Sequence, residues 1–224
     1  MESAVAGVAV RMQVEIWSDV VCPWCYLGKR RFEDALERFA GRDGVEVVYR
    51  SFELDPLAEP GVTEPTLDML AGKYGMTIDQ ARDAQRQMEQ RAADEGLTFR
   101  LDGQRRGSTR DAHRLLQLAR TTGQQAELME RLHRAYFTEQ DSVFDPEALT
   151  RLATEAGLDR AAVTEVLASD EFADAVEADE MTASALGATG VPFFVLDRRY
   201  GISGAQPAEV ILSALEQASA PAPA

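Results

Sequence analysis

Apolar and polar residues alternate from Gln13 to Trp17, and then give way to a pattern in which Phe32, Leu36 and Phe39 recur at three- and four-residue spacing. A period of two predicts a strand and a period near 3.6 a helix, so strand turns into helix just before Lys29. Gly41 and Gly44 close that helix. Val45 to Phe52, rich in β-branched and aromatic residues, predicts a second strand ended by Asp55-Pro56. Strand, helix and strand within about forty residues make a parallel unit with a right-handed crossover.

From Leu57 to about Leu186 the pattern is helical throughout, with no strand. Thr77-Ile78-Asp79-Gln80 forms a capping box, and Gly96 follows the helix it opens. Ser108 or Thr109 caps the next helix, with Ala112, Leu115, Leu116 and Ala119 on one face and Gly123 after it. Leu128, Leu132 and Tyr136 form another stripe, and Asp145-Pro146 is an N-cap followed by a first-turn proline. Asp159, and then Ser169 or Asp170, open two more helices, the last carrying Phe172, Val176 and Leu186. These stripes are expected to be core. Thr189 to Leu196 and Tyr200 to Ser203 then predict two strands joined at Asp197-Arg198-Arg199, and Pro207 to Ala218 a closing helix.

The expected class is α/β: a discontinuous sheet domain, residues 13–56 and 187–218, with an all-helical domain inserted at 57–186. Residues 1–12 and 219–224 are expected to be disordered tails, and Met12 is a second candidate start. Met1 to Arg11 has an early Glu2, no basic start and an apolar stretch broken by Gly7, which is not a secretory signal. No run approaches the roughly 18 apolar residues of a membrane span. A cytoplasmic location is therefore expected. Asp and Glu total 38 against 23 Lys and Arg, a net charge of −15. Such a surface repels phosphate backbones and anionic lipid, arguing against nucleic acid or membrane as partner.

Cys22-Pro23-Trp24-Cys25 stands where the first strand empties into its helix, and holds the only two cysteines. Proline is favoured at the first helical position, so Cys22 is the N-cap. Unpaired N–H groups and the helix dipole stabilise a thiolate there, lowering cysteine pKa values to roughly 3.5–7.5. Cys25 lies about one helical turn on, within reach of a disulfide. One sulfur attacks and the other resolves. Alternatives are half a zinc site, a pair of inert core cysteines, or a Cys–His hydrolase. Zinc needs four ligands, and the two histidines, His113 and His133, lie far down the chain. A helix N-terminus is a polar place for inert thiols, and a hydrolase leaves one cysteine unexplained. Redox chemistry uses both.

The segment Ser18-Asp19-Val20-Val21-Cys22-Pro23-Trp24-Cys25-Tyr26-Leu27-Gly28, with Gly190-Val191-Pro192-Phe193-Phe194, resembles the DsbA-like thioredoxin-fold proteins. Within them it is most similar to the FrnE-like branch, related to the 2-hydroxychromene-2-carboxylate isomerases. The likeness runs from about Gln13 to Gln217 and implies a thioredoxin-like fold with the helical domain inserted into it. It also implies a cis peptide before Pro192, which faces the cysteines and leaves the Val191 backbone to pair with an extended substrate. Pro23 and Trp24 join Val191 and Pro192 as substrate-binding residues, Trp24 exposed at the rim. Many DsbA-type oxidants have His at the Trp24 position, so a strongly oxidising character does not carry over. Asp19 either assists proton transfer to Cys25 or merely ends the strand. His113 lies in a segment, Ser108 to Leu115, that resembles one near the family's active site, although Ser108 replaces its usual Asn. His113 is otherwise a satisfied helix histidine, and His133 is expected on the surface.

The expected function is a cytosolic thiol-disulfide oxidoreductase or isomerase with catalytic Cys22 and Cys25. It would act on protein or small-molecule disulfides and dithiols, with no bound metal or organic cofactor and glutathione as a co-substrate. One alternative is a glutathione-dependent isomerase of a small aromatic or polyketide-like substrate, although those relatives generally carry Ser where this chain has Cys22. Another is a non-catalytic peptide-binding holdase with incidental cysteines.

Overall fold

The computed structural model describes residues 12–220. Its strands in chain order are β1 (Met12–Ser18), β2 (Val45–Ser51), β3 (Thr63–Pro65), β4 (Arg105–Gly107), β5 (Phe193–Leu196) and β6 (Tyr200–Ser203). Its helices are α1 (Pro23–Arg38), α2 (Thr66–Tyr74), α3 (Ile78–Asp94), α4 (Arg110–Thr122), α5 (Gln125–Arg134), α6 (Pro146–Glu155), α7 (Arg160–Leu167), α8 (Ala173–Ala185) and α9 (Ala208–Ser219). Four strands form a sheet in the order β2-β1-β5-β6. Strand β1 is parallel to β2, Met12 opposite Val45, and antiparallel to β5, Trp17 opposite Phe193.

The two-residue period of β1 divides its side chains between two faces. Met12, Val14 and Ile16 join Phe32 of α1 and Ile211 and Leu215 of α9 in the main core. Trp17 on the other face meets Phe193, Val195 and Ala183 of α8. Burying each such large side chain stabilises the fold by roughly 1.5–3 kcal/mol. Polar bonds fasten the helical insert to the same face. The Trp17 indole N–H donates to the Asp179 carbonyl at 2.8 Å, and the Asp179 carboxylate accepts from the Ser51 N–H at 3.0 Å. Buried Glu15 pairs with Arg50 and Arg198.

Helix starts follow their caps where the cap side chain is free to turn inward. Thr77 and Gln80 form the expected box, and the Asp145 and Asp159 side chains accept the N–H groups of Ala148 and Ala162, three residues on. Several boundaries differ from the pattern. The first helix ends at Arg38, and Phe39 is its C-cap. Thr109 takes the N-cap position of α4 without a side-chain bond, and the Ser108 hydroxyl accepts the Arg110 N–H instead, at 3.4 Å. Neither Ser169 nor Asp170 caps α8: the Ser169 hydroxyl closes a tight turn on the Glu171 N–H, and the helix opens after Phe172, whose φ is 64°. Leu186, expected on the inner face, is a partly exposed C-cap.

The stretch expected to be helical throughout contains a ribbon, β3 antiparallel to β4, with Thr63 opposite Gly107. Three-residue strands holding Pro65 and Gly107 carry no readable period, and side-chain bonds from Arg105 to Thr63 hold them. Met12 and Ser219, placed in the tails by the pattern, begin β1 and end α9. Ala220 is the C-cap of α9, and the rest of both predicted tails, residues 1–11 and 221–224, lies outside the described residues.

Candidate active site

Cys22 is the N-cap of α1, with extended backbone angles and Pro23 as the first helical residue. Both cysteines are free thiols and nearly closed off, Cys22 4% and Cys25 2% exposed. The Cys22 carbonyl accepts from the Cys25 and Tyr26 N–H groups, which tightens the opening turn. The Cys22 sulfur makes no capping bond. It points instead toward the Val191 carbonyl, 3.7 Å away. Burial first, and then the hydrogen bond to Cys22 and its charge, push the Cys25 thiol well above the ordinary range. Cys25 thus holds its proton tightly.

The Val191–Pro192 peptide is cis. The Pro192 carbonyl is taken by the Gly204 N–H at 2.8 Å, whereas the Val191 N–H and C=O have no backbone partner among the described residues. A Cβ at Gly190 would meet nothing, so the approach to Val191 is open on that side. Gly28, which the sequence motif included without a role, fixes this arrangement. A Cβ there would come within 2.8 Å of the Pro192 ring, so only glycine lets α1 lie against the proline.

Asp19 and His113 come together, and the Asp19 carbonyl accepts the Cys22 N–H at 3.2 Å. Asp19 is buried and accepts the Leu54 N–H at 2.8 Å, while its other carboxylate oxygen lies 3.3 Å from His113 Nε2. Burial alone would lower His113, but the hydrogen bond and charge of Asp19 overcome it and raise its pKa. Buried Glu53 lies nearby, its carboxyl raised chiefly by burial, with one oxygen unpartnered and Arg110 at 3.6 Å. His133 is not on the surface: it is fully buried, stacks on Tyr26 at 4.7 Å, and approaches the Asp19 carbonyl at 3.4 Å. Met129, His133 and Phe137 share one apolar face, a spacing legible in the sequence. Burial, then the Lys29 charge, pushes His133 down to about 4.

Trp24 is 40% exposed, with the Arg91 guanidinium of α3 5.8 Å from its ring centre. It marks the rim between α1 and α3. Among the described residues no group of three or more His, Cys, Asp or Glu side chains is placed to hold a metal, and no helix is long and apolar enough to cross a membrane.

A family model described as the DSBA-like thioredoxin domain matches residues 13–216. The chain belongs to the DsbA-like thioredoxin family. Its enzyme class is thiol-disulfide oxidoreductase, and its fold is thioredoxin-like. It is similar to the crystal structure of a probable DsbA oxidoreductase from Streptomyces coelicolor, with 55% identity, TM-score 0.89, and 92% of this chain and 89% of that one covered. Two others share the fold at lower identity. A 2-hydroxychromene-2-carboxylate isomerase is 17% identical at TM-score 0.65, covering 92% of this chain and 95% of that one. The cytosolic disulfide reductase DsbM from Pseudomonas aeruginosa, solved with GSH, is 19% identical at TM-score 0.62, covering 92% and 98%.

Proposed function

We propose that this protein is a cytosolic thiol-disulfide oxidoreductase in which Cys22 is the attacking sulfur and Cys25 the resolving one. The observation that carries the reading is the contact of Cys22, at the N-cap position of α1, with the Val191 carbonyl before a cis proline, while Cys25 is shut behind it with its proton held. A substrate disulfide R–S–S–R′ enters over Val191, whose N–H has no backbone partner among the described residues and whose C=O meets only the Cys22 sulfur, so that both pair with an extended substrate. Pro23 and Trp24 shape the approach. The Cys22 thiolate attacks one sulfur, forms Cys22–S–S–R and releases R′S⁻. Cys25 loses its proton and displaces RS⁻, leaving the Cys22–Cys25 disulfide and a substrate reduced by two electrons. Two molecules of glutathione return the pair to the dithiol, so glutathione is a co-substrate and no bound cofactor is required. Asp19 and His113 are proposed to stabilise the charge that develops under Cys25 during this exchange. The cytosolic placement draws on the name of the DsbM reductase, to which the chain is similar in fold.

Replacing Cys25 by Ser tests the order of attack. Cys25→Ser should accumulate a mixed disulfide on Cys22, visible by mass, and Cys22→Ser should form none. Accumulation on Cys25 in the Cys22→Ser protein would reverse the assignment.

A further inference from the structure

Beside Cys22 lies a cavity of about 620 Å³, bounded by α2, α3, the β3–β4 ribbon and the segment from Thr189 to Val191. Its size is that of a small-molecule site rather than a slot for one cysteine side chain. The wall is apolar: Met69 and Leu70 come from α2, Met88 from α3, with Leu101 and Tyr136 behind. Methionine side chains there adapt to varied shapes. No residue of α2 is fully buried, because its inner face looks onto the cavity and not onto packed core.

One polar group breaks the apolar stripe of α3. Between Ala81 and Ala92, Gln85 is only 6% exposed and its Nε2 has no hydrogen-bond partner among the described residues. Thr66 Oγ1, on the first turn of α2, is a second buried polar atom on the same lining, beside the Tyr136 hydroxyl. An unpaired buried amide costs stability, so its retention points to a ligand that completes it. That ligand is neutral where it is buried. Arg106 is already paired with Asp55 and Glu64, and Lys73 stands over the Tyr74 ring at the exposed end of α2. Asp19 lines the same space, and the net charge of −15 repels anions.

We infer that this cavity binds the non-reacting body of a small neutral thiol or disulfide: an apolar group bearing a carbonyl acceptor for the Gln85 amide N–H, with its sulfur at Cys22. The sulfur chemistry rests on the dithiol reading above; the binding site does not.

The test uses fully reduced protein and four 2-pyridyl mixed disulfides. Their thiols are N-benzyl-3-mercaptopropanamide, its hydrocarbon counterpart 5-phenylpentanethiol, 3-mercaptopropionate and 2-mercaptoethanol. Attack of Cys22 on the thiol-side sulfur releases 2-thiopyridone, and Cys25 then expels the thiol, so two protein electrons reduce one disulfide. The benzylamide should saturate at about tenfold lower concentration than the carboxylate or the mercaptoethanol compound. Gln85→Met should erase its advantage over the hydrocarbon, a change of about five- to tenfold. Met69→Trp, which fills the cavity from a half-buried helix, should erase the advantage of both. Equal saturation by all four, or an order unmoved by Met69→Trp, overturns the inference. If none releases thiopyridone, the dithiol reading fails, and calorimetry with unreactive N-benzylpropanamide decides the cavity. Saturable heat that Met69→Trp abolishes upholds it, and no heat overturns it.

Discussion

The two sides of the dithiol are built from opposite materials. Beneath Cys25 the floor is closed and polar: Asp19, His113, Glu53 and His133 are buried together, carried by the end of β1, by α4 and α5, and by the loop after β2. Beside Cys22 the wall is apolar and hollow, supplied by α2 and α3. The floor buries its charged groups, with only Asp19 reaching the lining of the cavity, and the wall leaves an open space beside Cys22. A helical insert can therefore serve one strand-to-helix corner twice, once by packing against it and once by standing off from it.

Breaking the floor should have the largest effect. Asp19→Ala removes the acceptor for the Leu54 N–H and the partner of buried His113, and should cost about 3–5 kcal/mol in urea unfolding, the loss seen when one member of a buried pair is deleted. A loss below about 1 kcal/mol would mean that the floor is not a coupled unit.

The floor also sets a pH dependence, which titration of stability against pH can follow. Because burial, then the Lys29 charge, pushes His133 from the ordinary 6.5 to about 4, the unfolded chain takes up a proton in that window that the folded chain refuses. Its stabilising contribution is present above pH 6.5 and is lost as pH falls toward 4, by about 3 kcal/mol if His133 acts alone. His133→Phe keeps a ring against Tyr26 and should flatten that acid limb. His113, raised by Asp19, acts in the other direction and in another window. Its contribution is complete below the unfolded value and fades as pH rises through the folded one.

Gly28→Ala tests the joint between the two sides. The added methyl must displace the Pro192 ring, and should cost about 1–3 kcal/mol while slowing disulfide exchange more than any alanine on the outer face of α1. The smallest effect belongs to the wall. Gln85→Met removes an unpaired buried amide and should raise stability by about 1 kcal/mol in the ligand-free protein, measured by thermal unfolding.

Much of this was legible in the chain. The parallel unit and the N-cap position of Cys22 follow from period and proline position, and the cis peptide before Pro192 from the family resemblance. The burial of His133 is hidden in the sequence because it flanks the stripe through Leu128 and Leu132 and belongs to a second one with Met129 and Phe137. Gly28 carried no signal of its own, since its need comes from a proline 164 residues away that only the fold brings near. Ribbon β3–β4 escaped because its strands are too short to show a period. The cavity could not be read at all: Gln85 is one more polar residue on a polar helix until its burial is known.

The most direct measurement is the Cys22–Cys25 equilibrium in graded glutathione buffers, with thiols trapped and counted by mass and Cys22→Ser as the control. A dithiol site predicts one two-electron transition that loses both thiols together and vanishes in the control. A protein that takes up glutathione on one sulfur and never closes the intramolecular disulfide would contradict it.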